Sequence, residues 1–320
     1  MPGTYTHLTL AQLLTAGKTV RNMKLPKEAR DSLLDYTRFC NMGAISPDYP
    51  YLSLLSDSKM AEHWANSMHH KYGTLTAGNI LHIGIDYLRK LAGEERQKCL
   101  AWFLGYTSHV TADVTCHPVT NLLVGDYEAD NQSAHRISEM HQDVYIFQTR
   151  VNGDVRKSEV IKNVVGSCAD TADKHKIDPH IEKMWRHLLS KAFPEIFADF
   201  KLDIHGWHRA VQVFLDDIAE EISVIPSRHI RNFFYKEGIA YPRFNEIDQE
   251  KYIKNLKTPK GSKSFDQIFD YTRRKIVRVW KLISDGIFLG GEAYKEKLKI
   301  WNLDTGQEVR TPKVMWEGEI

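Results

Sequence analysis

Hydrophobic positions recur mainly at intervals of three and four along the chain, and alternation of apolar and polar residues is scarce, so the pattern predicts an all-α protein. Leu8 to Leu14 opens a first helix, and Pro26-Lys27-Glu28-Ala29-Arg30 has the proline-led start of a second that runs to about Asn41. Gly43 to Pro50 interrupts the periodicity. Helical patterns resume from Ser58 towards His70, over Leu75 to Leu91 and over Glu94 to Cys116. Asp130-Asn131-Gln132-Ser133 offers caps for a helix from about Ala134 to Val151. Further helices are expected from Asp154 to Lys174, Pro179 to Lys191, Leu202 to Val224, Arg228 to Glu237 and Ser264 to Leu289. Pro242 to Lys263 reads as a loop. A short β-hairpin is expected at the end, with Lys299 to Leu303 and Glu308 to Arg310 joined by a turn at Asp304-Thr305-Gly306-Gln307.

The most apolar stretch carries polar residues at a telling spacing. Leu104 to Pro118 sets His109, Asp113 and His117 four residues apart. On a helix, four residues advance about 400° and about 6 Å, so His109 and Asp113 share one stripe and can grip one ion. Pro118 disfavours helical geometry at the residue before it, which predicts that the helix ends there with His117 at its C-terminal lip. A buried carboxylate between two imidazoles is costly unless paired or metal-bound, and a metal satisfies all three groups at once.

Composition sharpens this reading. With 320 residues and 42% hydrophobic content the chain can bury a large core. It is expected to form a single mostly helical domain over 1–320, in which 1–150 carries the metal motifs and 151–320 completes the core and cleft. The net charge of +2, from 43 basic and 41 acidic residues, gives no whole-chain case for nucleic-acid binding. The basic segment from Lys251 to Lys281 is read as a solvated face. No targeting sequence and no apolar run of membrane-spanning length is visible, so a cytoplasmic location is expected. Cys40, Cys99, Cys116 and Cys168 show no CxxC spacing and read as reduced and buried.

Nine of the fifteen histidines fall within the first 141 residues. His135, Glu139 and Asp143 repeat the four-residue spacing of the apolar motif, and two such helices face to face can build a multinuclear cluster. Asp48 follows Pro47 in a rigid segment that aims a carboxylate without helical freedom. His63, His69 and His70 form a third group, and His7 lies near the start. His63 and His70 are read as non-ligands, as are the histidines from His141 onward and His82.

Taken together, Gly43-Ala-Ile-Ser-Pro-Asp48, Trp64-Ala-Asn-Ser-Met-His69, Leu104 to Pro118 and His135-Arg-Ile-Ser-Glu139 resemble the zinc-dependent phospholipase C family, in order as well as content. The resemblance covers about residues 1–150. It implies a mostly helical fold holding two and up to three zinc ions that hydrolyse phosphodiesters; related enzymes are single-strand nucleases. It further implies that Asp48, His69, His109 and Asp113 surround one zinc, with Asp113 bridging to a neighbouring ion. His117, His135 and Glu139 would hold another, with Asp143 orienting a ligand, and His7 would help bind the third. The four-residue gap from Asp113 to His117 is like that in the N-terminal domain of the glycosylphosphatidylinositol-specific phospholipase D.

The expected activity is therefore zinc-dependent, phospholipase C-like phosphodiester hydrolysis. Its substrate would be a phospholipid or related phosphodiester reached by peripheral membrane contact, with Asp48 orienting or deprotonating the attacking water. A nuclease-like phosphodiesterase and a non-catalytic zinc-stabilised interaction module are the alternatives. The second half is expected to wall the cleft with Trp185, Trp207 and Trp280.

Overall fold

An apolar run that is hydrophobic on every side can be stable only as a helix surrounded by others, and this one is the axis of the molecule. The computed structural model describes residues 2–52, 58–69, 78–127, 131–221 and 241–317. Its longest helix, α8 (Gly93–Val124), is buried without interruption from Cys99 to Thr120. Around it pack α1 (Thr4–Thr15), α3 (Lys27–Asp35), α4 (Thr37–Gly43), α7 (Ile80–Leu88), α9 (Gln132–Val151), α11 (Pro179–Ala192) and the helix Phe265–Phe288. The other described α-helices are α2 (Gly17–Asn22), α5 (Tyr49–Leu52), α6 (Ser58–Met68), α10 (Val160–Ser167), α12 (Pro194–Asp199) and α13 (Ile204–Glu221), with short ones at Gln249–Tyr252 and Ala293–Lys297. One hydrophobic cluster joins both halves, from Leu8 to Trp316. No described helix is long and apolar enough to cross a membrane.

The all-α expectation holds, with local differences. The helix expected from Pro26 to Asn41 is broken at Tyr36, whose φ of −123° and ψ of 32° turn the chain between α3 and α4. The segment expected as a loop before Lys263 contains a two-stranded antiparallel sheet, β1 (Leu256–Thr258) with β2 (Gly261–Lys263), in which Leu256 pairs with Lys263. Its tight turn uses Gly261 at φ +82°, where a side chain would be strained. At the end of the chain Asn302 N–H donates to Gln307 O at 2.8 Å and Val309 N–H to Ile300 O at 2.9 Å, the ladder of the expected hairpin, turned at Gly306. The helix expected from Arg228 to Glu237 lies outside the described residues.

The main correction concerns Pro118. The helix does not end there: α8 runs through His117 and Pro118 to Val124. Proline in a helix removes one donor and crowds the carbonyl four residues back, so the site survives only if its surroundings accommodate both effects. Distant residues brace this turn of the helix. Trp316 Nε1–H donates to Thr115 O at 2.7 Å. Gly306 lies so close that a Cβ there would stand 2.5 Å from Pro118 Cγ and 2.7 Å from Val114 O. His117 therefore sits on the buried helical stripe of Asp113 instead of swinging from a lip.

The three tryptophans expected to wall a cleft are core residues. Trp185 packs between Trp102, tilted against it, and Trp207, edge-on, with centroids 5.4 and 5.6 Å away, and Trp280 Nε1–H donates to Leu104 O at 2.7 Å. All three are buried.

Candidate metal centre

Two glycines set the site's foundation. A Cβ on Gly43 would stand 1.9 Å from Trp102 O, and one on Gly105 would stand 1.9 Å from Cys40 O, so α4 and α8 cross backbone to backbone. That approach lays the turn after α4 along α8. Ala44 O accepts from His109 Nδ1–H at 2.9 Å, and Ser46 Oγ accepts from Trp102 Nε1–H at 2.9 Å while donating to Met42 O. Asp48, two residues past Ser46, then lies with Oδ1 3.7 Å from His109 Nε2.

His69 comes from just beyond α6. Its Nδ1 lies 2.8 Å from Ala65 O, and its own carbonyl accepts from Leu303 N–H at 2.9 Å. Because a carbonyl only accepts, Nδ1 carries the proton in both His69 and His109, which turns Nε2 inward as the available lone pair once the ring is neutral. His69 Nε2 stands 3.2 Å from Asp48 Oδ1 and 3.8 Å from Asp113 Oδ2, and His109 Nε2 stands 3.2 Å from Asp113 Oδ2. The other oxygen of Asp113, Oδ1, faces His7 Nε2 at 3.1 Å, and the His7 ring stacks on that of His109 with centroids 3.9 Å apart.

His7 reaches this point because Asp143 docks the start of α1. The Asp143 carboxylate accepts from the backbone N–H groups of Tyr5 and Thr6, from Thr6 Oγ1 and from the Tyr241 hydroxyl, at 2.7–3.1 Å. A helix N-terminus presents unpaired N–H groups and a partial positive charge, so a buried carboxylate is a fitting partner. The approach is close enough that a Cβ on Gly3 would fall 2.2 Å from Asp143 Oδ2. Asp143 thus anchors a helix, whereas the resemblance implies that it orients a ligand.

These residues fit a metal. In His7, His69, His109 and Asp113 the inward atoms are buried with no hydrogen-bond partner, as is Oδ1 of Asp48. Such orphans are expensive unless something else satisfies them. Two triads, His7–His109–Asp113 and Asp48–His69–His109, have ligand atoms close enough to share an ion. Tetrahedral zinc with bonds of about 2.0–2.1 Å keeps its ligands about 3.3 Å apart, in the middle of the 3.1–3.8 Å observed. The donor set, imidazole nitrogens with carboxylate oxygens, suits zinc.

The charges agree. Burial alone would raise the carboxyl of Asp113, but His109 and His7 outweigh it and hold it well below the usual range; His109 and His69 do the same, less strongly, for Asp48. Both are carboxylates, the ligand form. Burial pulls the His69 imidazole down, yet Asp48 prevails and raises it to about 9, while burial and His109 lower His7.

The remaining candidates lie nearby without forming a third triad among the described residues. His117 is fully buried with both ring nitrogens unpartnered, and burial holds it well below its ordinary pKa. His135 donates from Nε2 to Gly125 O at 2.7 Å, which leaves an Nδ1 without a partner, and its ring meets Tyr127 edge-on. Glu139 is half-buried, and loss of solvent raises its carboxyl. His63 packs on Phe200 away from the triads, and His70 lies outside the described residues.

Several contributors went unnoticed in the sequence. Tyr51 lies against the His69 ring with centroids 5.3 Å apart, and Asp304 also pulls His69 upward. Their sequence surroundings carry no signal for this. The glycines of Gly43-Ala44 and Leu104-Gly105 did offer one, since each stands inside a motif at a helical crossing.

Residues 6–195 match a family model described as zinc dependent phospholipase C. No curated protein and no solved structure matches the chain.

Proposed function

Because the chain belongs to the zinc-dependent phospholipase C family, we propose that it hydrolyses a phosphodiester, most directly that of a phospholipid, with zinc held by the buried histidine and aspartate cluster. The observation that carries the reading is Asp113, whose Oδ1 faces His7 at 3.1 Å and whose Oδ2 faces His109 at 3.2 Å, the histidine that both triads share. Asp48, His69, His109 and Asp113 would hold one ion, and His7 with Asp113 a neighbouring one. His117, His135 and Glu139 are proposed for a further ion. Bound zinc supplies Lewis acidity that lowers the pKa of water to about 7 and neutralises charge on phosphate oxygens.

The protein's own groups supply the rest. The Asp48 side chain is 11% exposed, whereas those of His69, His109 and Asp113 are fully buried. A carboxylate at the rim, ionised and set on a rigid turn, can orient an attacking water and take its proton. Asp113, sealed beneath it, holds the two histidines in register and contributes fixed negative charge. Phosphoryl transfer asks mainly for such positioning and charge compensation. A protein nucleophile is not called for, and the buried cysteines cannot act as one: burial pushes Cys99, Cys116 and Cys168 up to about 12.

A phospholipid is favoured over nucleic acid because a net charge of +2 gives the whole chain little attraction for a polyanion. The test is hydrolysis of a chromogenic phosphodiester, followed by a panel of phosphocholine, phosphoinositol and nucleotide diesters. Activity that a chelator removes and zinc restores is expected, with Asp48→Asn inactive. Hydrolysis indifferent to chelation, or none at all from zinc-loaded protein, would overturn the proposal.

A further inference from the structure

The turn that carries Asp48 continues directly into Tyr49, and Tyr49 is buried in the core. Its ring lies 6.1 Å from Trp185, and its hydroxyl lies 2.8 Å from Nδ1 of His208 on α13. His208 is fully buried as well. Its Nε2 is 3.2 Å from Nε2 of Gln212, one turn further on, and that same amide nitrogen donates to Lys174 O at 2.8 Å. A carbonyl only accepts, so Gln212 must turn its NH2 towards Lys174 and hence towards His208. His208 Nε2 is then the acceptor, and Nδ1 carries the proton that it donates to Tyr49. The relay from Lys174 through Gln212 and His208 ends on the residue next to Asp48. Its two side chains, His208 and Gln212, sit on a helix whose first residue, Ile204, lies beyond the 6–195 stretch matched by the family model.

We propose that His208 is a positioning residue for the metal centre: its Nδ1–H clamps Tyr49 and thereby fixes where the Asp48 carboxylate stands against His69 and His109. The inference rests on the zinc reading of that site. Filling space does not account for the residue, because an aliphatic side chain would fill the same volume without desolvating two ring nitrogens. Asp48 needs an external hold, since its Oδ1 makes no hydrogen bond of its own. The turn is tied to α8 on one side through Ala44 and Ser46, and His208 ties it on the other.

The test uses the full chain loaded with Co2+ in place of zinc, because the visible bands of bound cobalt report the number and arrangement of its ligands. His208→Asn keeps a donor near the position of Nδ1, His208→Leu removes it, and Tyr49→Phe removes the acceptor. Wild type and His208→Asn are expected to share band positions and Co2+ affinity. His208→Leu and Tyr49→Phe should shift the bands and weaken Co2+ about tenfold, the low end for groups that support a metal ligand. The double variant should be no worse than either single one, because both remove the same bond. Thermal unfolding of the metal-free proteins reads stability separately, and if His208→Leu does not fold, Tyr49→Phe carries the comparison. Unchanged bands and affinity in the folded variants would overturn the positioning role and leave the zinc centre standing. A wild-type chain that takes up no cobalt would overturn the zinc reading and this inference with it.

Discussion

His7 Nε2 lies 3.1 Å from Asp113 Oδ1, joining the first helix of the chain to the middle of its central one. The other Asp113 oxygen serves His109, so a single carboxylate balances imidazoles from two helices. Asp113→Asn keeps the shape and removes the charge. Activity is expected to fall by at least about 100-fold, with metal affinity reduced, since even groups supporting a ligand account for about 10–100-fold. Circular dichroism should stay native, and kinetics with metal titration checks the rest.

The docking of α1 by Asp143 gives a different kind of prediction. Asp143→Ala strands the N–H groups of Tyr5 and Thr6, which is worth about 0.5–2 kcal/mol as a lost helix cap. Gly3→Ala pushes a methyl group into the same carboxylate. Both should lower the melting temperature by a few degrees and weaken metal binding through His7, leaving the His69 side of the site intact. A melting curve and a metal titration on each variant check this.

The pH dependence follows from His69. Its pKa is raised to about 9 in the metal-free protein, above an ordinary value of 6.5, so the charged form stabilises the fold fully below 6.5 and this contribution is lost as pH rises through about 9. A metal ion binding at neutral pH must displace that proton. Affinity is therefore expected to climb about tenfold per pH unit towards pH 9, with release of about one proton per ion from this residue. Calorimetry in buffers of different ionisation enthalpy measures the release.

The crossing of α4 and α8 leaves no room for a methyl group. Gly105→Ala places a Cβ 1.9 Å from Cys40 O, and backbone cannot move aside as a flexible side chain would. Overpacking of this kind costs about 1–3 kcal/mol or more. It also moves the Asp48 turn away from His109, so stability and metal content should fall together.

What could be read in advance divides along the range of the physics. His109 and Asp113 were legible because a helical repeat and an apolar setting are local properties, and α8 placed them as expected. The end of that helix is not legible because proline's preference is local, whereas what overrides it, Trp316 on Thr115 and Gly306 against the proline ring, lies about two hundred residues downstream. Asp143 shared the helical stripe of His135 and Glu139, yet its partners are backbone groups of residues 5 and 6 that no spacing rule reveals. The ties of His69 and His109 to Ala65 and Ala44 were hidden for the same reason, since any residue offers a carbonyl.

The zinc content of the purified chain after extensive desalting reads whether the buried cluster around Asp113 is a zinc centre. Two to three ions per chain are expected, falling in Asp113→Asn. Less than one ion per chain, unchanged by that substitution, would mean that the cluster is not a zinc centre.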